Sequence, residues 1–248
     1  ATTPLRKPVK MCRMTPMPEL PEVESVRLQL VAKVVGKTVS GVAVFHAKTV
    51  AHDDTIEDRL LGKTIAVIDR VGKLLIFSFV EEADLFLLAH LKMTGQFFFV
   101  DTDKISGGGH SMTAADIREF PGPHTRSAFY FTDGSALYFN DMRLFGYTKL
   151  ANAREVAAAR AGFGPEPIDE TFDLDWFVMA VRRRRAPIKA VLLDQQFVAG
   201  LGNIYVDEAL YRAGVRPTKR ADRLTKAAAR RIGEEAGQVM KESIAVGG

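Results

Sequence analysis

Gln195-Gln-Phe-Val-Ala-Gly-Leu-Gly-Asn-Ile-Tyr-Val-Asp-Glu-Ala-Leu-Tyr-Arg-Ala-Gly214 is the stretch on which the fold turns. It reads as a helix, a glycine-bearing turn and a second helix, with Val206, Leu210 and Ala213 on one face. Gly200 and Gly202 permit close backbone approach, and a helix beginning at Asn203 offers free amides to an anion. By itself the same pattern also fits a plain helical hairpin.

The surrounding chain is helical. Residues 171 to 185 and 187 to 195 form amphipathic segments, and a long final helix is expected from about Thr225 to Ile244. Upstream, Gly162-Phe-Gly-Pro-Glu-Pro reads as a linker. Before the linker the texture changes. Thr64-Ile-Ala-Val-Ile, Leu74-Leu-Ile-Phe-Ser-Phe, Leu85-Phe-Leu-Leu-Ala-His-Leu and Gln96-Phe-Phe-Phe-Val are rich in β-branched and aromatic residues. Ala128-Phe-Tyr-Phe and Ala136-Leu-Tyr-Phe flank Thr132-Asp-Gly-Ser, a hairpin turn signal. Short strands separated by turns point to a sandwich or barrel. A loop with Gly107-Gly-Gly, Pro121 and Pro123 interrupts them from about Thr102 to Pro123. Residues 22 to 35, with Val23, Val26, Leu30 and Val34 in phase, form an N-terminal helix.

With 248 residues and 47% hydrophobic content, the chain can build one large core or two ordinary ones. No apolar run is long enough to cross a bilayer. The single cysteine, Cys12, excludes an intrachain disulfide framework and a zinc site of paired cysteines within these residues; it suits a reducing, intracellular setting. Residues 171–248 carry 14 Lys and Arg against 9 Asp and Glu, a net of +5, whereas residues 1–170 carry 20 against 21. A basic lobe beside a near-neutral one suits a polyanion, although a solvated helical surface looks the same. Residues 1–17 hold four basic and no acidic side chains and lack the apolar core of a secretory signal. They read as a leader or a misassigned start, with Met11, Met14 and Met17 as candidate initiators.

Met17-Pro-Glu-Leu-Pro-Glu-Val-Glu24 resembles the N-terminal signature of the formamidopyrimidine-DNA glycosylase and endonuclease VIII family. The resemblance runs from about Met17 to Gly248. It implies an α+β fold of two domains: an N-terminal β-sandwich with an N-terminal helix, and an α-helical C-terminal domain in which Gln195–Gly214 is the helix-two-turn-helix. It also implies that Pro18, freed by removal of Met17, is the nucleophile. A free N-terminal proline is a secondary amine with a pKa near 8, so a useful fraction is unprotonated at neutral pH. Such an amine can attack a sugar C1′ and form an iminium intermediate. Within a peptide bond Pro18 has no amine, so the mechanism demands a chain that starts there. Glu19 would manage protons at the sugar. In Arg70-Val-Gly-Lys73, Lys73 would touch the phosphate next to the lesion and donate a proton in β-elimination.

Other strings carry the same resemblance. In His90-Leu-Lys-Met-Thr-Gly95, His90 corresponds to a phosphate contact and Met93 to a residue that fills the gap left by the extruded nucleotide. In Asn140-Asp-Met-Arg-Leu-Phe-Gly146, Arg143 would bond the orphaned base and Phe145 would wedge into the stack, offsetting the few kcal/mol of base flipping. The set Met93, Arg143 and Phe145 matches the oxidised-purine branch, whereas Leu144 departs from a second basic residue found in many members. His124, Arg184 within Arg182-Arg-Arg-Arg185, Lys189 and Asn203 complete the expected DNA contacts.

The expected organisation is therefore a leader at 1–17, a catalytic sandwich at 18–150, a linker at 151–170 and a helical DNA-binding domain at 171–248. The expected partner of this monomer is damaged double-stranded DNA, with no membrane. No cofactor or metal site is expected within the chain. Zinc is expected only if a four-cysteine ribbon follows Gly248, where family members continue; if the 248 residues are the whole protein, weak DNA binding and poor δ-elimination follow. Two other readings stay open at this point: a non-catalytic damage sensor with Pro18 blocked by the leader, and a structural nucleic-acid-binding protein that shares only the helix-two-turn-helix.

Overall fold

The computed structural model describes residues 17–101, 104–108 and 120–248. The leader falls almost wholly on residues 1–16, outside the described residues. Helix α1, Leu20–Val34, begins two residues earlier than its apolar period suggests. Pro21 in its first turn has no N–H to leave unpaired, and the Glu22 carboxylate takes the Glu19 amide at 2.8 Å.

Nine strands follow: β1 (Val39–Val44), β2 (Ile65–Val71), β3 (Leu74–Phe79), β4 (Phe86–His90), β5 (Gly95–Asp101), β6 (Lys104–Gly108), β7 (Thr125–Phe131), β8 (Ala136–Asp141) and β9 (Tyr147–Ala151). A short helix α2, Ile56–Leu60, precedes β2. The strands make two antiparallel sheets, β1-β7-β8-β5-β6 and β2-β3-β4-β9. Phe77 from one sheet meets Phe97 of the other at 6.1 Å, and Phe97 meets Phe139 at 5.0 Å. These rings, with Val23, Val26, Leu30 and Val34 of α1, form the sandwich core. The Thr132–Ser135 turn joins β7 to β8 as expected, with Gly134 at φ +86°.

Two elements depart from the sequence reading. β6 lies inside the stretch expected to be a loop, because Gly107 lets this edge strand approach β5: a Cβ there would sit 2.3 Å from the Phe97 carbonyl oxygen. Helix α3, Ala153–Ala161, occupies the first half of the expected linker. Asn152 and Glu155 form its capping box. Its Val156 covers Leu74, Ile76 and Leu88, the outward face of strands that are apolar on both sides.

The C-terminal part comprises α4 (Leu174–Val181), α5 (Ile188–Leu193), α6 (Asn203–Arg212) and α7 (Lys226–Val246). Its core includes Phe177, Leu192, Phe197, Leu210, Ile232 and Met240, and it also takes in Leu20 from the start of α1. One helix therefore contributes to both cores. Leu20 donates its amide to the Gly200 carbonyl at 3.1 Å, and Gly200, at φ +92°, leaves no room for a Cβ against the Leu20 side chain.

Candidate active site

Pro18 and Glu19 sit at this junction, both buried, and Glu19 is only 2% exposed. The Glu19 carboxylate crosses to the other domain and accepts the amides of Gly202 at 2.7 Å, Ile204 at 2.9 Å and Tyr205 at 3.4 Å. These are orphan donors at the N-terminus of α6, where the helix dipole favours an anion. The anion at this terminus is a carboxylate of the chain itself, which takes three of the amides; the amide of Asn203 is not among them. Gly202 makes this possible, since a Cβ would lie 2.3 Å from Glu19 Cδ.

Lys73 reaches the same junction from the β2–β3 turn. Its ammonium donates to the Leu201 carbonyl at 3.0 Å, and the residue as a whole is 6% exposed. In this geometry it faces the protein's own backbone and not the open surface. Burial pushes Glu19 above the ordinary carboxylate range against the pull of its three amides and Lys73. Burial also pulls Lys73 below the usual lysine range, against the charges of Glu19 and Glu22. A buried acid and a buried base are thus both brought toward neutral pH, which suits proton transfer.

The register collects the other residues at the same end of the sandwich. Leu74, next to Lys73, pairs with His90, and His90 pairs with Tyr147. His90 accepts the Lys92 amide at Nδ1, 3.0 Å away. Burial, with Lys92 and Lys73 nearby, lowers its pKa to about 3, so the ring is neutral. Half-buried Met93 lies in the β4–β5 turn, while Arg143 and Phe145 stand exposed in the β8–β9 turn with the Arg143 guanidinium 5.0 Å from the Phe145 ring centre. Asp141, fully buried, ties the two turns together. It accepts from the Thr94 hydroxyl, from the Arg143 amide at 3.1 Å and from the Gly146 amide at 2.7 Å. Its own amide donates to the His124 carbonyl at 2.9 Å. Leu144 is held at φ +56°, a left-handed conformation that a leucine adopts only at a cost.

Asn203 opens α6 with its side chain exposed. Arg184 is exposed and its guanidinium lies 5.2 Å over the Phe197 ring. Lys189 is bound at 2.8 Å to both carboxylate oxygens of Asp207 on α6, so its charge is shared with a partner that the sequence reading did not foresee.

Sequence reasoning also missed Asp141 and the ion network beside Lys73. Arg70 binds Glu166 through two bonds of 2.8 and 2.9 Å and Glu24 at 2.9 Å, while Glu166 accepts the Gly72 amide at 2.6 Å. This network holds the turn that carries Lys73 against the interdomain linker. Burial works against the charge on Arg70, but Glu166 and Glu24 hold its pKa above the ordinary value. A signal for Asp141 was present in the sequence, an aspartate followed at short range by a glycine at a strand end. Nothing local pairs Arg70 with a glutamate 96 residues away.

The formamidopyrimidine-DNA glycosylase N-terminal domain family matches residues 17–148, and the formamidopyrimidine-DNA glycosylase H2TH domain family matches residues 163–248. The chain belongs to the formamidopyrimidine-DNA glycosylases. It is 39% identical to the formamidopyrimidine-DNA glycosylase of Ligilactobacillus salivarius over 85% of this chain and 71% of that one. It is 37% identical to that of Geobacillus kaustophilus over 94% and 80%. The glycosylase of Lactococcus lactis, solved with DNA containing an abasic site, superposes with a TM-score of 0.81 at 31% identity, covering 93% of this chain and 79% of that one. The same protein bound to FAPY-dG-containing DNA gives 0.81 at 31% identity, over 93% and 81%. The two-domain fold expected from the sequence is that of the family. Among the described residues no group of three or more His, Cys, Asp or Glu side chains is placed to hold a metal ion, and no helix is long and apolar enough to cross a membrane.

Proposed function

We propose that this chain is a bifunctional DNA glycosylase and abasic-site lyase of base-excision repair that acts on oxidised purines in duplex DNA, 8-oxoguanine and formamidopyrimidines. The observation that carries this reading is the locking of Glu19, the residue after Pro18, onto the start of α6, within electrostatic reach of Lys73. In a chain beginning at Pro18, the lone pair of the proline nitrogen attacks C1′ of the damaged nucleotide. The C1′–N bond to the base breaks and the base leaves with a proton. The nitrogen loses its own proton, the C1′–O4′ bond breaks as O4′ takes up a proton from Glu19, and an iminium is left on the opened sugar. Loss of a proton from C2′ then expels the 3′ phosphate, the β-elimination. Glu19, with its raised pKa, exchanges protons at the sugar, and Lys73 serves as the second proton carrier.

Met93, Arg143 and Phe145 fill the space left by the flipped nucleotide, and their clamped turns lower the ordering cost of insertion. His90, His124, Arg184, Lys189 and Asn203 serve as contacts to the DNA backbone. Such an enzyme works where the DNA is, at the cytoplasmic nucleoid.

Borohydride trapping on a duplex with one 8-oxoguanine opposite cytosine tests the reading. The chain starting at Pro18 should give a covalent adduct that mass spectrometry maps to Pro18, and the same chain retaining Met17 should give none. An adduct on Lys73 or Lys189, or equal trapping with Met17 retained, would overturn it.

A further inference from the structure

Lys92 stands between His90 and Met93, and nothing in the reaction as derived uses its side chain. Its backbone lies at φ +52°, a region that glycine enters freely and lysine only at a cost. A lysine held in a glycine conformation calls for a compensating use of its side chain. The half-buried Lys92 ammonium lies 6.0 Å from the Tyr147 ring centre, and among the described residues it has no carboxylate partner. Lys73 differs in this respect, because Glu19 and Glu22 lie within its electrostatic reach.

The Lys92 charge acts on both Lys73 and His90, which places all three in one neighbourhood. His90 receives the Lys92 amide at Nδ1, so its ring proton sits on Nε2 and that nitrogen is a donor. An ammonium with no carboxylate partner among the described residues and an imidazole N–H, carried by the end of β4 and the turn after it, match the needs of a phosphodiester: one charge and one directed hydrogen bond.

We propose that Lys92 binds a phosphodiester group of the DNA strand, acting with the Nε2–H of His90, and that the left-handed backbone at this position is retained to place its ammonium. The proposal rests on the DNA-glycosylase reading above.

The test uses Lys92→Gly, which removes the charge and relieves the backbone together. It is carried out by titration of a duplex containing a stable abasic-site analogue over a range of salt concentrations, with thermal melting alongside. Affinity should fall about tenfold, the order of one charge-assisted contact, and the slope of log K against log salt should become shallower by about 0.9. The melting temperature should hold or rise, because glycine is the better residue for this conformation. Lys92→Arg should restore the affinity. Unchanged affinity and slope in Lys92→Gly would overturn the proposal, and so would a drop in melting temperature that accompanies the loss of binding and reveals a structural role against Tyr147. Failure of the unsubstituted chain to bind this DNA would overturn the glycosylase reading together with it.

Discussion

Replacing Gly202 by alanine probes the contact that joins the two domains at the nucleophile. The new Cβ would lie 2.3 Å from Glu19 Cδ, 2.4 Å from Oε1 and 2.7 Å from Cγ. Carbon atoms pack at about 3.5–4.0 Å, so the carboxylate must retreat by about 1 Å. It is 2% exposed and held by amides at 2.7 and 2.9 Å, which leaves it nowhere to go without releasing at least one of them. A hydrogen bond to a charged group contributes about 1.5–3 kcal/mol, so stability should fall by roughly 2–3 kcal/mol. A 1 Å misplacement of a catalytic group costs about 100-fold in rate, or about 2.7 kcal/mol of barrier. Single-turnover cleavage of an abasic duplex by the Pro18-starting chain should therefore slow by about 100-fold. DNA affinity should fall by much less than the rate, since of the proposed backbone contacts only Asn203 lies at this helix start. A double-mutant cycle locates the cause: in a Glu19→Ala background the same glycine substitution should cost little, which gives a coupling of about 2 kcal/mol. A variant with lowered affinity, an unchanged single-turnover rate and no coupling to Glu19 would refute the reasoning, because it would mean that the start of α6 serves the DNA and not the carboxylate.

Further expectations concern charge and clamping. Because Glu19 has a raised pKa in the fold, its contribution to stability is fully present below its unfolded value of 4.5 and is lost as pH rises through the folded value. Urea unfolding of wild type and Glu19→Gln should accordingly show the wild type losing ground to the variant as the pH is raised above 4.5; a constant difference would contradict the shift. Asp141→Ala leaves the Gly146 amide and the Thr94 hydroxyl without their acceptor and takes from the Arg143 amide one of its two, the other being the Thr94 hydroxyl oxygen. It should destabilise the chain by about 3 kcal/mol and weaken discrimination between 8-oxoguanine and guanine more than it slows abasic-site cleavage, as competitive cleavage assays would show. Glu166→Ala removes the two-bond partner of the buried Arg70, whose side chain is 8% exposed, and leaves it Glu24 alone; it should cost about 1.5–3 kcal/mol by denaturant unfolding.

The sequence by itself determined many of the longer elements and the chemistry of the reactive groups. Alternating and continuous apolar runs specified β2, β3, β4, β5, β7 and β8, and helical spacing specified α1, α6 and α7, because these signals lie within a few residues of one another. The string at Pro18 and the strings around Lys73, Arg143 and Gly200 carried the family, since each is contiguous. Only the tertiary structure decided who meets whom. Glu19 finds Gly202 across 183 residues, and Arg70 finds Glu166 across 96. Lys189 is taken up by Asp207, and β6 and α3 appear where glycines and a linker were read, because an edge strand and an apolar sheet face needed partners. The physical reason is the same in each case. Burial of charge and of backbone donors demands a partner wherever the fold places one, and that distance is not written in local spacing. The amides at the start of α6 were legible as an anion site, and the identity of the anion was settled only when the two domains closed on Glu19.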